Sequence, residues 1–170
     1  MNCAPTSFQD MSFRIGIGYD LHRLAQNRRL VLGGVVIPFD KGLLGHSDAD
    51  ALCHAAADAL LGALALPDLG QQFSDTDPAW KDADSLALLG RVQTMIAGRG
   101  FRVVNLDATI IAQAPKLAPH FPAMAANLAR VLQVDADRIS VKAKTAEGVG
   151  AIGRGEAIAA EVVVLLEQKR

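Results

Sequence analysis

Arg14-Ile15-Gly16-Ile17-Gly18-Tyr19-Asp20-Leu21-His22 is the stretch on which the fold turns. Ile15, Ile17 and Tyr19 alternate with small or polar residues, the period of two that a strand shows, so a β-strand is expected over 14–20. It closes on a polar run, Asp20, His22 and Arg23. Beyond it, Leu30 to Leu32 and Val35 to Ile37 flank Gly33-Gly34, a hairpin signal, because a two-residue turn needs the positive φ angles that glycine supplies. Pro38 to Ser47 is rich in turn formers. Ser47 with Asp50 three residues later resembles a capping box, and a helix is expected from about Asp48 to Leu64, ending before Pro67. Pro67 to Lys81 carries Gly70, Pro78 and several aspartates, the composition of a surface loop and a candidate lid.

Leu86, Leu89, Val92 and Ile96 mark one face of a second helix stopped by Gly98 and Gly100. A strand is expected from Phe101 to Ala112, with Val104, Leu106, Ala108 and Ile110 on one face and Asn105, Asp107 and Thr109 on the other. Pro115, Pro119 and Pro122 lead into a third helix ending near Gln133. Ile139 to Thr145 reads as a strand before a glycine-rich loop. The last strand, Glu156 to Leu166, is apolar on both faces apart from Glu161, so it should be central or lie against a neighbouring subunit. Strands and helices mix without regular βαβ alternation. The expected fold is therefore α+β, a mixed four-stranded sheet plus a small hairpin, with helices layered on one face and the other face free for subunit partners.

At 170 residues, 51% of them apolar, the chain has the size of one domain. A net charge of -1 without blocks of like charge argues against a nucleic-acid or anionic-membrane surface. Cys3 and Cys53 lie far apart and imply no disulfide framework, which fits a reducing cytoplasm. No apolar run reaches the ~18 residues of a membrane span. Met1 to Ser12 lacks the pattern of a secretory signal and reads as a loose tail, with Met11 an alternative start. A tail over 1–13 and a single domain over 14–168 are expected.

Asp20 and His22, two apart on an extended backbone, point to the same side and can reach one ion. His54 on the helix could supply a third ligand, and one carboxylate with two imidazoles suits a catalytic zinc with an open position. Asp50, His54 and Asp58 recur every four residues on a helix otherwise made of Ala, Leu, Cys and Gly. Such a stripe on an apolar helix implies pairing, metal binding or a cleft. The plainer readings remain beside it: a hydrogen-bonded helical histidine, Asp50 as an N-terminal cap, His46 as a loop residue and His120 as a surface one. Cys53 points about 100° away from His54 and reads as packing.

Lys142, Lys144, Thr145 and Glu147 precede Gly148-Val149-Gly150-Ala151-Ile152-Gly153-Arg154-Gly155-Glu156. Glycines let backbone amides approach an anion, Thr, Lys and Arg supply donors, and Glu147 could hold a hard cation such as magnesium. A hairpin turn with solvated charges is the simpler alternative. No Ser-His-Asp or reactive-cysteine set is evident, so metal-assisted phosphoryl chemistry fits better than covalent catalysis.

Taken together, Ile15 to His22, Leu32-Gly33-Gly34, Gly42-Leu43-Leu44-Gly45-His46-Ser47-Asp48-Ala49-Asp50, Asp75-Thr76-Asp77-Pro78, Ile110 to Lys116 and Gly153-Arg154-Gly155-Glu156 closely resemble the 2-C-methyl-D-erythritol 2,4-cyclodiphosphate synthase family. The resemblance runs from about Arg14 to Leu166. It implies a cytoplasmic homotrimer, with the free sheet face toward the trimer axis and active sites at subunit interfaces. The implied reaction belongs to the non-mevalonate isoprenoid pathway: 4-diphosphocytidyl-2-C-methyl-D-erythritol 2-phosphate gives the cyclic diphosphate and CMP. A zinc-dependent phosphohydrolase and a non-catalytic diphosphate-binding trimer are the rival readings.

Carried over by motif, Asp20, His22 and His54 hold zinc, and Glu147 holds magnesium or manganese. Thr145, Glu147 and His46 serve catalysis, with Thr145 and Lys144 at the phosphates. His46, Ser47, Asp58 and Asp75 hold the methylerythritol phosphate, Asp68 and Gly70 meet the ribose, and Ala112, Pro115, Lys116, Leu117 and Ala118 cradle cytosine. Arg154 faces the axis, where an isoprenoid diphosphate is expected. Two positions depart from the family's common pattern. Lys144 stands where threonine is frequent, and Ala151 replaces an aromatic residue of the axial pocket.

Overall fold

Two glycines settle how the first strand meets the first helix. In the computed structural model, which describes residues 12–74, 80 and 83–169, strand β1 (Phe13–Gln26) turns Gly16, Gly18, Asp20, His22 and Leu24 inward and Ile15, Ile17, Tyr19 and Leu21 outward. Helix α1 (Ala51–Ala63) lies directly on the inward face. A β-carbon at Gly16 would collide with the carbonyl oxygen of Ala59, and one at Gly18 with that of Ala55. Two strand residues advance about 6.6 Å and four helical residues about 6 Å, so strand and helix keep step in opposite directions. The next step brings Asp20 to the first turn of α1, which carries His54.

The sheet has five strands rather than the expected four. After β2 (Leu30–Leu32) and β3 (Val35–Ile37), which form the expected hairpin with Gly33 and Gly34 at φ +57° and +69°, a short strand β4 (Lys41–Leu43) pairs antiparallel with the end of β1, Leu24 opposite Leu43. Three residues among turn formers are too few for a periodic signal, and only the tertiary partner makes them a strand. Pairing with the last strand (Ala157–Gln168) as far as Arg23, and with β4 from Leu24, carries β1 past its expected end at Asp20 to Gln26.

The remaining strands are β5 (Phe101–Ile111), β6 (Ile139–Lys144) and β7 (Ala157–Gln168), in the order β4-β1-β7-β5-β6. β7 is central, antiparallel to β1 and β5, as its apolar faces implied, and β6 runs parallel to β5. One expected grouping fails: a bulge between Val103 and Asn105 inserts an extra residue, so Val103 is buried and Val104 only half-buried.

Helices α1, α3 (Ser85–Gly98) and α4 (Phe121–Leu132) cover the inward face. Single turns, α2 (Leu69–Gln72) and α5 (Gly150–Gly153), interrupt the segments expected as loops. Ten of the 13 residues of α1 are buried, and the exceptions are His54, Asp58 and Gly62. Leu52, Leu60 and Leu61 are fully buried, each stabilising the fold by about 2 kcal/mol.

Helix α1 begins three residues later than expected, and its cap is Asp50 rather than Ser47. Asp50 Oδ1 accepts from Cys53 N–H at 3.0 Å and from Gly33 N–H at 2.9 Å, and Oδ2 from Gly34 N–H at 2.7 Å. One carboxylate thus caps the helix and clamps the hairpin to it, which removes Asp50 from the polar stripe. Cys53 is buried, as expected.

On the outward face Ile15 is 72%, Ile17 63% and Tyr19 57% exposed, with Leu21 and Val163 beside them. No described element covers this stripe. No helix among the described residues is long and apolar enough to cross a membrane. Most of the expected tail, and residues 75–79 and 81–82 of the candidate lid, fall outside the described residues.

Candidate metal centre and its cleft

Asp20 and His22 from β1 and His54 from α1 meet around one point. Asp20 Oδ2 is 2.9 Å from His22 Nε2 and 3.0 Å from His54 Nδ1, and the two ring nitrogens are 3.2 Å apart. His22 Nδ1 lies 2.9 Å from the carbonyl oxygen of Leu44. A carbonyl only accepts, so Nδ1 carries the proton and the Nε2 lone pair faces inward. A carboxylate oxygen and two imidazole nitrogens, all within 4.8 Å of one another, form a donor set that fits a divalent cation and leaves coordination positions open.

Burial works against the charge on Asp20, but hydrogen bonds and the charges of His22 and His54 outweigh it and hold the carboxyl far below its usual range. Burial likewise disfavours protonated His22, yet the bond and charge of Asp20 and the Leu44 carbonyl raise it above its ordinary value. Both shifts favour positive charge at the centre of the cluster.

The cluster lies in a cleft of about 470 Å³. Leu44, Gly45, His46 and Ser47 form one wall, Asp58 continues the α1 wall, and Leu69, Gly70, Phe73, Trp80 and Leu88 close the far side. Phe73 and Trp80 meet edge to face at 5.1 Å, and the Arg91 guanidinium lies 5.0 Å over Trp80. Asp58 Oδ1 accepts from Leu69 N–H at 2.8 Å, which ties α2 to the cleft. Its carboxyl is raised above the usual value by burial, against that bond, with Asp68 and Asp20 adding to the rise.

His46, Ser47, Asp58 and Gly70 therefore line the same cleft as the triad. Asp68 sits beside them as the cap of α2, accepting from Gln71 N–H at 2.9 Å. Asp75 lies outside the described residues. The walls Phe73, Trp80 and Leu88 escaped sequence reasoning. Phe73 and Trp80 had one signal, aromatic residues, including the chain's single Trp, in a stretch of loop composition, and Leu88 had none.

Ala112 to Ala118 with Phe121, Ala143, Lys144 and Thr145 line a second, open depression of about 360 Å³. This gathers the expected Ala112, Pro115, Lys116, Leu117, Ala118, Lys144 and Thr145. Thr145 Oγ1 donates to Glu147 Oε1 at 2.6 Å, and Glu147 is exposed and outside the metal cluster. Arg154 forms a two-pronged pair with Glu156 at 2.8 and 3.0 Å, also exposed. The two depressions share no lining residue. β1, β5 and β6 run in the same direction, so both open toward one end of the sheet, on opposite sides of central β7.

A family model described as the YgbB family matches residues 13–167. A 2-C-methyl-D-erythritol 2,4-cyclodiphosphate synthase of Geotalea uraniireducens is 61% identical over 156 residues, covering 92% of this chain and 99% of the relative. Among solved structures, a 2-C-methyl-D-erythritol 2,4-cyclodiphosphate synthase in a CDP-bound form is similar at TM-score 0.83 and 40% identity, over 90% of this chain and 99% of that one. The bifunctional IspDF from Campylobacter jejuni is similar at TM-score 0.90 and 41% identity, over 94% of this chain. This chain spans 43% of that longer protein.

Proposed function

The chain belongs to the YgbB family, and on that footing we propose that it converts 4-diphosphocytidyl-2-C-methyl-D-erythritol 2-phosphate to 2-C-methyl-D-erythritol 2,4-cyclodiphosphate and CMP. The enzyme is then a phosphorus–oxygen lyase of the cytoplasmic non-mevalonate isoprenoid pathway. The observation that carries this reading is the convergence of Asp20, His22 and His54 in a cleft with polar walls on one side and apolar walls on the other.

An oxygen of the substrate's 2-phosphate attacks the β-phosphorus, the bond from that phosphorus to the bridging oxygen breaks, and CMP leaves. No protein nucleophile is needed. Cys53 could not serve as one, since burial pushes its thiol well above its ordinary pKa. Zinc held by Asp20, His22 and His54, with magnesium or manganese at Glu147, would supply charge neutralisation. The protein's share is orientation. His46, Ser47 and Asp58, with Asp75, hold the methylerythritol phosphate. Asp68 and Gly70 meet the ribose, Lys144 and Thr145 the phosphates, and Ala112 to Ala118 the cytosine. Phe73, Trp80 and Leu88 keep water from the β-phosphorus, favouring cyclisation over hydrolysis.

Three copies with Ile15, Ile17, Tyr19, Leu21 and Val163 turned inward would cover the apolar stripe. Such a homotrimer would bring the nucleotide depression of one subunit to the metal cleft of the next. An isoprenoid diphosphate on the axis would meet Arg154, although Ala151 offers it no aromatic contact.

The test is product analysis by phosphorus NMR after incubation with substrate and magnesium. CMP and cyclic diphosphate in equal amounts are expected, and His54→Ala should abolish turnover and lower the zinc content. CMP with a linear phosphate would instead assign a phosphohydrolase.

A further inference from the structure

We propose that Ser85 and Asp48 are positioning residues that fix the tautomer of His54 and thereby set the affinity of the centre for a divalent cation. This rests on the metal reading of Asp20, His22 and His54. Both residues stand behind the metal ligands, outside the donor cluster and outside the lining of the cleft.

The hydrogens decide the tautomer. Asp48 Oδ1 accepts from the Ser85 hydroxyl, and Oδ2 accepts from Ser85 N–H at 3.2 Å. A hydroxyl has one hydrogen, so Ser85 Oγ, having donated it to a carboxylate, can only accept. His54 Nε2 lies 2.9 Å from that oxygen and must carry the proton. Nδ1 is then left with the lone pair that faces Asp20 Oδ2 and His22 Nε2. Ser47 Oγ, 3.2 Å from the same Nε2, already accepts from Ala49 N–H at 3.1 Å and keeps a hydrogen for other partners. Ser85 is 1% exposed, so bulk water does not compete for its hydroxyl.

The two histidines are thus held by different means. His22 is oriented by a backbone carbonyl, and His54 by a side-chain relay anchored on another element, since Ser85 opens α3. Ligand imidazoles whose far nitrogen donates to such a partner are more basic and better aligned, and losing that partner typically weakens metal binding by about 10–100-fold.

Zinc alone, titrated against metal-stripped full-length protein with a competing chelator, tests this in wild type, S85A, S85T and D84A. Asp84 caps α3 through Leu86 N–H at 2.8 Å and has no bond to His54, so D84A shows what loosening the helix start does by itself. S85A should bind zinc about 10–100-fold more weakly, while S85T, which keeps the hydroxyl, stays within about threefold of wild type. D84A should lower the melting temperature and leave zinc affinity unchanged. If S85A does not fold, D48N carries the same test, because its amide N–H must face a donor that Asp48 now accepts. Zinc affinity in S85A within about threefold of wild type would overturn the relay, as would a loss in D84A equal to that in S85A. A wild-type protein that bound no zinc would overturn the metal reading itself.

Discussion

Asp20, His22 and His54 sit where a strand and a helix touch through glycine, whereas Lys144, Thr145 and Glu147 sit on exposed backbone beyond or at the end of β6. In the first region ligand positions follow from packing: once Gly16 and Gly18 set β1 on α1, Asp20 has only the first helical turn to meet. In the second, Glu147 and its neighbours Gly148 and Gly150 all have positive φ, from +50° to +76°. Among the described residues, the side-chain bond that holds Glu147 is from Thr145. The first region is organised before any ligand arrives. In the proposed trimer, the second supplies groups whose final positions depend on substrate and on a neighbouring subunit. Damage to the first should therefore cost fold and function together, and damage to the second function alone.

Gly18→Ala should have the largest effect. Its β-carbon would overlap the Ala55 carbonyl oxygen and stand 2.6 Å from the Ala59 amide nitrogen. Backbone cannot swing away as a side chain can, so α1 must lift from β1. A loss of at least about 3 kcal/mol is expected, with zinc content falling in parallel. Thermal melting and metal analysis on the same sample check both. Native metal content in a destabilised G18A protein would break the link between packing and ligand geometry.

That link also explains what could be read from the sequence. Asp20, His22 and His54 were legible because polar residues at strand and helix spacing stand out on apolar elements. Central β7 was legible because it is apolar on both faces. Strand β4 was not, because three residues owe their pairing to β1 alone. For Asp50 the plainer reading as a helix cap holds over the cleft stripe: its carboxylate is spent on Cys53, Gly33 and Gly34, and two of those partners lie in a hairpin that helical spacing cannot reveal. Ser85 gave no signal, since one serine at a helix start looks like any other. The role expected of Lys116 came from the family resemblance alone, because an exposed loop residue carries no periodicity, whereas Thr145 and Glu147 already offered a donor and a cation ligand beside a glycine-rich stretch.

Glu147→Gln should act on the second region alone. The side chain is exposed, so stability should change by no more than about 0.5 kcal/mol, and zinc at the triad should be retained. Turnover should fall by about 100-fold, as for loss of an electrostatic group at a reacting phosphate. Co-assembly then sharpens the comparison. If a site combines His54 of one subunit with Glu147 of the next, random mixed trimers of H54A and E147Q chains restore about one site in four. Mixtures with no activity would place both residues in a site made by one chain.

The smallest effect is expected at Asp58, a charge in the organised region that nevertheless opposes folding. Burial raises its carboxyl pKa above the ordinary value in spite of the bond from Leu69 N–H. Between the ordinary and the raised value the native state holds more protons than the unfolded one, so stability falls as pH rises through that window. At neutral pH the full penalty is present. Asp58→Asn keeps the oxygen that accepts from Leu69 and removes the charge. Metal-free D58N should gain about 0.5 kcal/mol at pH 7, a modest figure because the group is only half-buried and solvent screens it. The gain should vanish below about pH 4, where the carboxyl is neutral in both states. Turnover should drop as well, on the substrate-holding role proposed for Asp58. A D58N protein less stable at pH 7 would reverse the balance: the charged bond to Leu69 would then outweigh burial, and α2 would be held to the cleft by charge rather than by packing.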